Sequence, residues 1–122
     1  MKILLVEDEG LVALYLRRLL ADHGLKNVAV ARNGEEAVTR VNEFNPDLLL
    51  MDIRLGKGID GIEAVRRINS VKHIPVIYIT ASTDKQTHRE ALNTNPIAIL
   101  SKPIEPGELK QMIENYFGEA IN

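Results

Sequence analysis

Short apolar runs alternate along the chain with segments in which apolar residues recur every three or four positions. Continuous runs are typical of strands that helices cover on both faces of a parallel sheet, and the longer period is typical of helices with one buried side. The pattern predicts five strands, at residues 3–6, 28–31, 48–52, 76–80 and 97–100.

The segments between these strands predict five helices. The first ends at Gly24, a residue type suited to a helix C-terminus. Its helical period is carried by Leu11, Leu14, Tyr15, Arg18 and Leu19. The next three helices begin at pairs with the spacing of N-terminal caps. These pairs are Asn33 with Glu36, Asp60 with Glu63, and Thr83 with Gln86.

The last helix is predicted to begin at Pro106, because proline is favoured at the first helical position. The residues of this helix that are expected to face inward are Leu109, Met112, Ile113, Tyr116 and Phe117.

Strict alternation of strands and helices over 122 residues predicts one α/β domain, residues 1–122, without linker or repeat. We expect a flavodoxin-like (βα)5 three-layer sandwich, with a parallel five-stranded sheet in the order 2-1-3-4-5. Ligands of such sheets bind beyond the carboxyl ends of the strands, where the winding of the chain reverses.

Composition narrows the classes of function. A net charge of −2 gives no bulk attraction to nucleic acid or an anionic membrane. The absence of cysteine excludes disulfides and thiolate-bound zinc. The apolar start of the chain meets Glu7 and Asp8 too early for a signal peptide or membrane span, so a cytoplasmic domain is expected.

Acidic residues close two of the predicted strands, and a lysine follows the last. Glu7 and Asp8 end the first strand, Asp52 the third and Thr80 the fourth, while Lys102 lies just past the fifth. Carboxylate oxygens favour hard cations such as Mg²⁺, which typically takes one or two carboxylates plus phosphate and water. Three carboxylates would repel a nucleotide phosphate, so a dinucleotide or P-loop site is disfavoured.

A carboxylate can also act as a nucleophile toward phosphorus and form an acyl phosphate. Catalysis of phosphoryl transfer is mostly positioning and charge neutralisation. Asp52 is the predicted phosphoacceptor, with Mg²⁺, the Lys102 ammonium and the Thr80 hydroxyl each meeting one phosphoryl oxygen. Before phosphorylation, Lys102 can pair with Asp52 and offset the crowded negative charge.

These residues, with Asp60-Gly61, Ala81 and Pro103, resemble the receiver domain of two-component response regulators over essentially the whole chain. The resemblance implies transfer from the phosphohistidine of a sensor histidine kinase or phosphotransfer protein to Asp52. It implies a phosphoacceptor and not a turnover enzyme. It also implies a downstream protein or output domain that binds the face formed by the fourth helix, fifth strand and fifth helix, and homodimerisation on phosphorylation is possible.

The same resemblance implies Mg²⁺ held by Asp8, Asp52 and the backbone carbonyl of Arg54, with Glu7 acting through water. It implies a cis peptide bond between Lys102 and Pro103, which is plausible because only X–Pro bonds tolerate cis cheaply. The residues expected to modulate the site are Arg54, Ser82, Ile99 and Tyr78.

The sequence departs from the receiver pattern at three places. The loop from Ile53 to Gly61 lacks the usual proline, is one residue longer than the common form and contains two more glycines. Ile99 replaces a usual aromatic residue, and Tyr78, on the same strand face as Thr80, is a candidate to supply part of that packing. Arg54 could pair with the phosphoryl group or with Glu7, which predicts an altered aspartyl-phosphate lifetime in Arg54→Ala.

Two other classes of function stay open at this point. A phosphatase of the haloacid dehalogenase type needs a second acid two residues after its nucleophile, where this chain has Arg54. The other is a receiver-like interaction module that works without phosphorylation, although such modules usually lose a key site residue and none is lost here. No output domain is expected after Gly118, so the domain either acts alone or belongs to a longer protein.

Overall fold

The computed structural model describes residues 1–81 and 84–118, and within them five strands alternate with five helices. The strands are β1 (Ile3–Val6), β2 (Val28–Ala31), β3 (Leu48–Asp52), β4 (Val76–Thr80) and β5 (Ala98–Ser101). The helices are α1 (Gly10–Asp22), α2 (Gly34–Phe44), α3 (Gly61–Asn69), α4 (Lys85–Leu92) and α5 (Pro106–Phe117). The predicted strands are confirmed, with β5 shifted by one residue.

All strand pairs are parallel, and the sheet has the order β2-β1-β3-β4-β5. The flavodoxin-like topology is therefore confirmed. In the register of β1 with β3, Val6 lies opposite Met51. Glu7 follows Val6 and Asp52 follows Met51, so this register places the two acids side by side.

Two apolar cores cover the two faces of the sheet. Alternate strand residues point to opposite faces, so that Leu4 and Met51 pack with α2 and α3, and Leu5 and Leu50 pack with α1 and α5. This gives the predicted three layers. Burial on both faces explains why the strands are continuous apolar runs.

The buried side of α1 differs from the predicted one. Leu11 is 83% exposed and Leu14 is 63% exposed, whereas Ala13, Leu16 and Leu20 face the sheet. Two apolar stripes run along this helix: of the residues that carried the predicted period, Leu19 lies on the buried stripe, whereas Leu11 and Leu14 lie on the outer one. Core packing therefore does not explain the outer stripe, which consists of Leu11, Leu14 and Tyr15.

The caps predicted for α2 and α3 are confirmed, because Asn33 Oδ1 accepts from Glu36 N and Asp60 Oδ1 accepts from Glu63 N, both at 2.8 Å. The cap of α4 is Asp84, whose carboxylate accepts from the backbone amides of Gln86 and Thr87. The prediction of Thr83 was wrong by one position, and Thr83 itself lies outside the described residues.

The prediction for α5 was wrong at one residue. Leu109 and Ile113 are buried, but Tyr116 is 51% exposed and makes an edge contact with the Phe117 ring at 5.0 Å between centroids. Tyr116 lies at the flank of the buried stripe, so its ring covers the helix end without entering the core. Among the described residues, no helix combines the length and the apolar character that crossing a membrane requires.

Candidate functional site

The carboxyl edge of the sheet brings together the five residues that the sequence placed there. Glu7 and Asp8 follow β1, Asp52 ends β3, Thr80 ends β4, and Lys102 follows β5. Glu7, Asp52 and Thr80 are buried, whereas Asp8 is exposed. One side of the cluster therefore faces solvent and the other lies in the fold.

Lys102 bridges the two buried acids. Its Nζ lies 2.9 Å from Glu7 Oε1 and 3.1 Å from Asp52 Oδ2. Burial lowers the pKa of Lys102, but its hydrogen bonds to Glu7 and Asp52 more than offset this, so the pKa is raised from its ordinary value. The sequence predicted the contact with Asp52 and missed the contact with Glu7.

The pKa of Glu7 is also raised from its ordinary value. Burial is the largest cause, and the nearby charge of Asp52 acts in the same direction. Hydrogen bonds from Lys102 and from the Glu9 amide to Glu7 oppose the shift. The cluster therefore holds more negative charge than one ammonium neutralises, which favours a further cation.

Asp52 is fixed by the chain around it. Its Oδ1 accepts a hydrogen bond from Arg54 N at 3.2 Å. Gly61, the first residue of α3, lies so close beneath that an added Cβ would clash with the Asp52 carbonyl oxygen and lie 2.9 Å from Ile53 Cα. Only glycine lets α3 begin directly under Asp52.

The donor set fits a small hard cation. Glu7, Asp8 and Asp52 each offer one carboxylate oxygen, and these oxygens lie within 4.8 Å of one another. Oxygen ligands of this kind suit Mg²⁺, Mn²⁺ or Ca²⁺ better than softer metals. Because Asp8 is exposed, this side of the carboxylate cluster is open to solvent.

The family model of the response regulator receiver domain matches residues 3–114. The chain belongs to this family. It is 32% identical over 113 residues to the transcriptional regulatory protein PdtaR of Mycobacterium tuberculosis, an alignment that covers 93% of this chain and 55% of PdtaR. The chain spans between 28% and 55% of the length of the curated relatives compared with it.

Solved receiver domains have the same fold. The signal receiver domain of a modulated diguanylate cyclase from Desulfovibrio desulfuricans superposes with a TM-score of 0.87 at 38% identity, covering 93% of this chain and 90% of that one. A two-component response regulator from Clostridium difficile gives a TM-score of 0.89 at 25% identity, covering 98% and 97% of the two chains.

Of the residues expected to modulate this receiver domain, Arg54 has an exposed side chain and Ser82 lies outside the described residues. The pKa of Asp84, the cap of α4, is lowered by hydrogen bonds from Thr87 and Gln86 and, more weakly, by the charge of Arg54. The charge of Arg54 therefore favours the ionised form of the Asp84 carboxylate.

Tyr78 and Ile99 are register partners on β4 and β5, and both belong to the core between the sheet and α2, α3 and α4. Tyr78 is fully buried, and its Oη lies 2.7 Å from Thr94 Oγ1. Because the Thr94 hydroxyl donates to Ala91 O at 2.7 Å, the Tyr78 hydroxyl donates to Thr94. This adjacency supports the hypothesis that Tyr78 packs where the usual aromatic residue is missing.

An apolar cavity of about 390 Å³ opens beside Lys102, a feature that the sequence interpretation missed. It is lined by the outer stripe of α1, with Leu11 and Tyr15, and by Pro103 and Ile104 after the cis Lys102–Pro103 bond. Tyr15 Oη donates to Ile104 O at 3.1 Å and joins the two walls. The sequence signal that could have indicated this cavity is the presence of large apolar residues, Leu11 and Tyr15, that begin one turn after Glu7 and Asp8.

Proposed function

We propose that this receiver domain accepts a phosphoryl group on Asp52 from the phosphohistidine of a sensor histidine kinase or phosphotransfer protein, in a reaction that requires Mg²⁺. The observation that carries the proposal is the Lys102 ammonium bound to both Glu7 and Asp52 within a three-carboxylate cluster. An ammonium there offsets part of the resting negative charge and is in reach of a phosphoryl oxygen once Asp52 is modified.

In the proposed step, one Asp52 carboxylate oxygen attacks phosphorus and forms a P–O bond. The P–N bond to the imidazole breaks, and its electron pair returns to the ring nitrogen. Arg54 N and Lys102 hold the carboxylate in place before the attack. Lys102 and the Thr80 hydroxyl then stabilise charge on the equatorial phosphoryl oxygens.

The residues that would hold Mg²⁺ are Asp8, Asp52 and the Arg54 carbonyl, with Glu7 acting through a water molecule. When bound, the cation neutralises the charge of the phosphoryl oxygens. The raised pKa of Glu7 is consistent with a site that favours added positive charge.

The apolar cavity supports a protein as the phosphodonor. Leu11 and Tyr15, which line the cavity together with Lys102, expose large apolar area, and such area on a small domain often marks a docking surface. A donor helix seated there would bring its phosphohistidine to Asp52. The proposal places the domain in the cytoplasm, where such kinases present their phosphohistidine.

The output face is proposed to be α4, β5 and α5, acting on a downstream protein or output domain, with homodimerisation as one possible use. Leu92 of α4 and Tyr116 of α5 are each about half exposed and supply apolar contacts on this face. We propose no turnover of external substrates, because Arg54 stands where an aspartyl-phosphate phosphatase would need an acid.

Incubation with Mg²⁺ and a small phosphodonor, followed by intact mass measurement, tests the proposal. We expect one phosphoryl adduct on the wild-type protein and on Asp22→Asn, an exposed control, and none on Asp52→Asn. Absence of an adduct on the wild-type protein would favour an interaction module that works without phosphorylation. Steady release of phosphate without an accumulated adduct would favour a phosphatase.

A further inference from the structure

The lengthened loop after Asp52 is attached to the first turn of α2. Ile59 N donates a hydrogen bond to Glu35 Oε2 at 3.2 Å. Gly58 has a φ of +81°, and a Cβ added to it would lie 2.5 Å from Glu35 Oε1 and 2.7 Å from Oε2. The Glu35 carboxylate therefore rests on the backbone of Gly58, in space that any other residue at this position would fill.

A second contact of the same turn strengthens this attachment. A Cβ added to Gly34 would lie 2.6 Å from Ile59 Cγ1 and 3.0 Å from Ile59 O. Gly34 thus lets Ile59 pack directly on α2, while Glu35 binds the Ile59 amide. Two successive residues of α2 hold one point of the loop.

The other end of the loop touches the candidate metal site. Gly56 has a φ of +73°, and a Cβ added to it would lie 3.0 Å from Asp8 Oδ2. The neighbouring Leu55 is buried and anchors this end of the loop in the core. Asp8 is the exposed member of the carboxylate cluster, so the backbone at Gly56 limits where its carboxylate can lie.

We propose that Glu35 is a positioning residue for the metal site: it fixes the loop at Ile59, and the loop in turn holds Asp8 in the orientation that binds the cation. The inference rests on the proposed function, because it concerns the same magnesium site. Mg²⁺ demands near-ideal octahedral geometry, so a small change in one carboxylate lowers its affinity. Groups that orient metal ligands typically change affinity by about 10- to 100-fold when removed.

A simpler role for Glu35 is that of a negative charge in the first turn of a helix, where it interacts favourably with the helix dipole. That role accounts for an acid at this position but not for its contacts with Gly58 and Ile59, which lie 23 and 24 positions further along the chain. The dipole role predicts a change in stability alone. The positioning role predicts a change in Mg²⁺ affinity.

Isothermal titration of Mg²⁺ into the unphosphorylated protein tests the inference. We expect the dissociation constant to rise about 10-fold in Glu35→Ala, the lower end of the effect of removing such an orienting group. Glu35→Gln keeps an oxygen for the Ile59 amide and should stay within about twofold of the wild type. Glu43→Ala, an exposed acid on the same helix, should leave the constant unchanged.

A pair of glycine variants tests the other end of the loop. Gly56→Ala strains a positive φ and pushes on Asp8, whereas Gly118→Ala strains a similar φ of +71° with no atom of the described residues within 4 Å of the added Cβ. Both should lose stability, but only Gly56→Ala should weaken Mg²⁺ binding.

The outcomes separate this inference from the proposed function. Asp8→Asn should abolish Mg²⁺ binding and serves as the reference for loss. If wild-type affinity persists in both Glu35→Ala and Gly56→Ala, or if Glu35→Gln loses as much as Glu35→Ala, the positioning role is overturned while the magnesium site stands. If the wild-type protein binds no Mg²⁺, the magnesium site and the inference fall together. Mg²⁺ binding that depends on Glu35, without any adduct on Asp52, overturns phosphoacceptance alone.

Discussion

The acidic edge (Glu7, Asp8, Asp52 and Lys102) and the β4–β5 side (Tyr78, Thr94 and Ile99) are built by different means. At the acidic edge, carboxylates from two strand ends, Glu7 and Asp52, lie within hydrogen-bonding distance of the Lys102 ammonium, which follows a third strand. On the β4–β5 side, contacts are apolar apart from one chain of hydroxyl groups. Charges in contact tolerate few substitutions, whereas a packed apolar surface can exchange residues of similar volume. This difference explains why the charged residues typical of receiver domains are all present at the acidic edge, whereas Ile99 replaces the usual aromatic residue on the β4–β5 side.

The largest effect is expected beneath the acidic edge, in Gly61→Ala. The new methyl group would meet the Asp52 carbonyl and Ile53 Cα, which are backbone atoms that cannot rotate away. We expect the free energy of unfolding to fall by about 3 kcal/mol, measured by urea denaturation. Gly107→Ala, where nothing lies within 4 Å, is the control and should not destabilise. A Gly61→Ala protein as stable as that control would show that the edge is not tightly fixed.

Lys102→Ala removes the ammonium and leaves Glu7 and Asp52 without it. Because the Lys102 side chain is 21% exposed, we expect a loss near 2 kcal/mol at pH 8, below the usual range for a fully buried pair. The Lys102 contribution is present below the ordinary lysine pKa and is lost as pH rises through its raised pKa in the fold.

The decrease in the free energy of unfolding caused by Lys102→Ala should be smaller at acidic pH. Glu7, whose pKa is raised, is protonated there, and this removes one of the two unpaired negative charges. Added Mg²⁺ should restore part of the stability of the variant by replacing the missing positive charge. Urea denaturation of the variant at pH 8 with and without Mg²⁺ measures this. A variant whose stability does not change with Mg²⁺ would contradict the idea that Lys102 and the cation neutralise the same carboxylates.

A smaller effect is expected on the β4–β5 side. Tyr78→Phe removes one buried hydrogen bond, to Thr94, and should cost about 1 kcal/mol at pH 8. Burial raises the pKa of Tyr78 to about 12, so the folded state keeps the phenol proton that the unfolded state releases near pH 10.

The wild-type protein should therefore lose stability relative to Tyr78→Phe as pH rises from about 10 to 12. Urea denaturation of the two proteins at pH 8 and pH 11 measures the change, with the exposed Tyr116→Phe as control. A constant difference between pH 8 and pH 11 would show that Tyr78 is not held as a neutral phenol.

Tyr78→Ala tests whether Tyr78 takes the part of the aromatic residue that Ile99 replaces. Unchanged phosphorylation-linked shifts in β5 would reject this role for Tyr78.

The smallest effect on stability is expected at Arg54, which follows Asp52 by two residues. Its side chain is exposed, so Arg54→Ala should change the free energy of unfolding by less than about 0.5 kcal/mol. We expect the lifetime of the aspartyl phosphate to change all the same, because the guanidinium can pair with the phosphoryl group or stay near Asp84. Decay of the adduct, followed by intact mass, measures it, and equal lifetimes would remove Arg54 from the mechanism.

The sequence was sufficient to predict which residues form the acidic edge, because the carboxyl ends of parallel strands lie at the same edge of the sheet. Apolar runs located the strands, and the register then fixed Glu7 beside Asp52. The contact of Lys102 with Glu7 was missed, because the reach of a flexible side chain depends on backbone positions that periodicity does not give.

The same limit explains the errors on the helices. Leu11 and Leu14 share the helical period of core residues, and only packing shows that α1 turns Ala13 and Leu16 inward instead. Glu35 was not singled out from the sequence, because nothing local indicates that Ile59 lies against α2.

The position of the loop between Asp52 and Gly61 has a consequence for how the protein can vary and be engineered. Side chains of β3 alternate between its two faces, so one residue inserted within that strand would invert every position after it and turn Asp52 away from the acidic edge. The loop between Asp52 and Gly61 lies outside the strand and contains glycines with φ values of +73° and +81°. A change of chain length in this loop leaves the register of β3 intact, so a protein with a peptide tag or fluorescent probe grafted at Lys57 should fold, whereas one with the same graft within β3 should not.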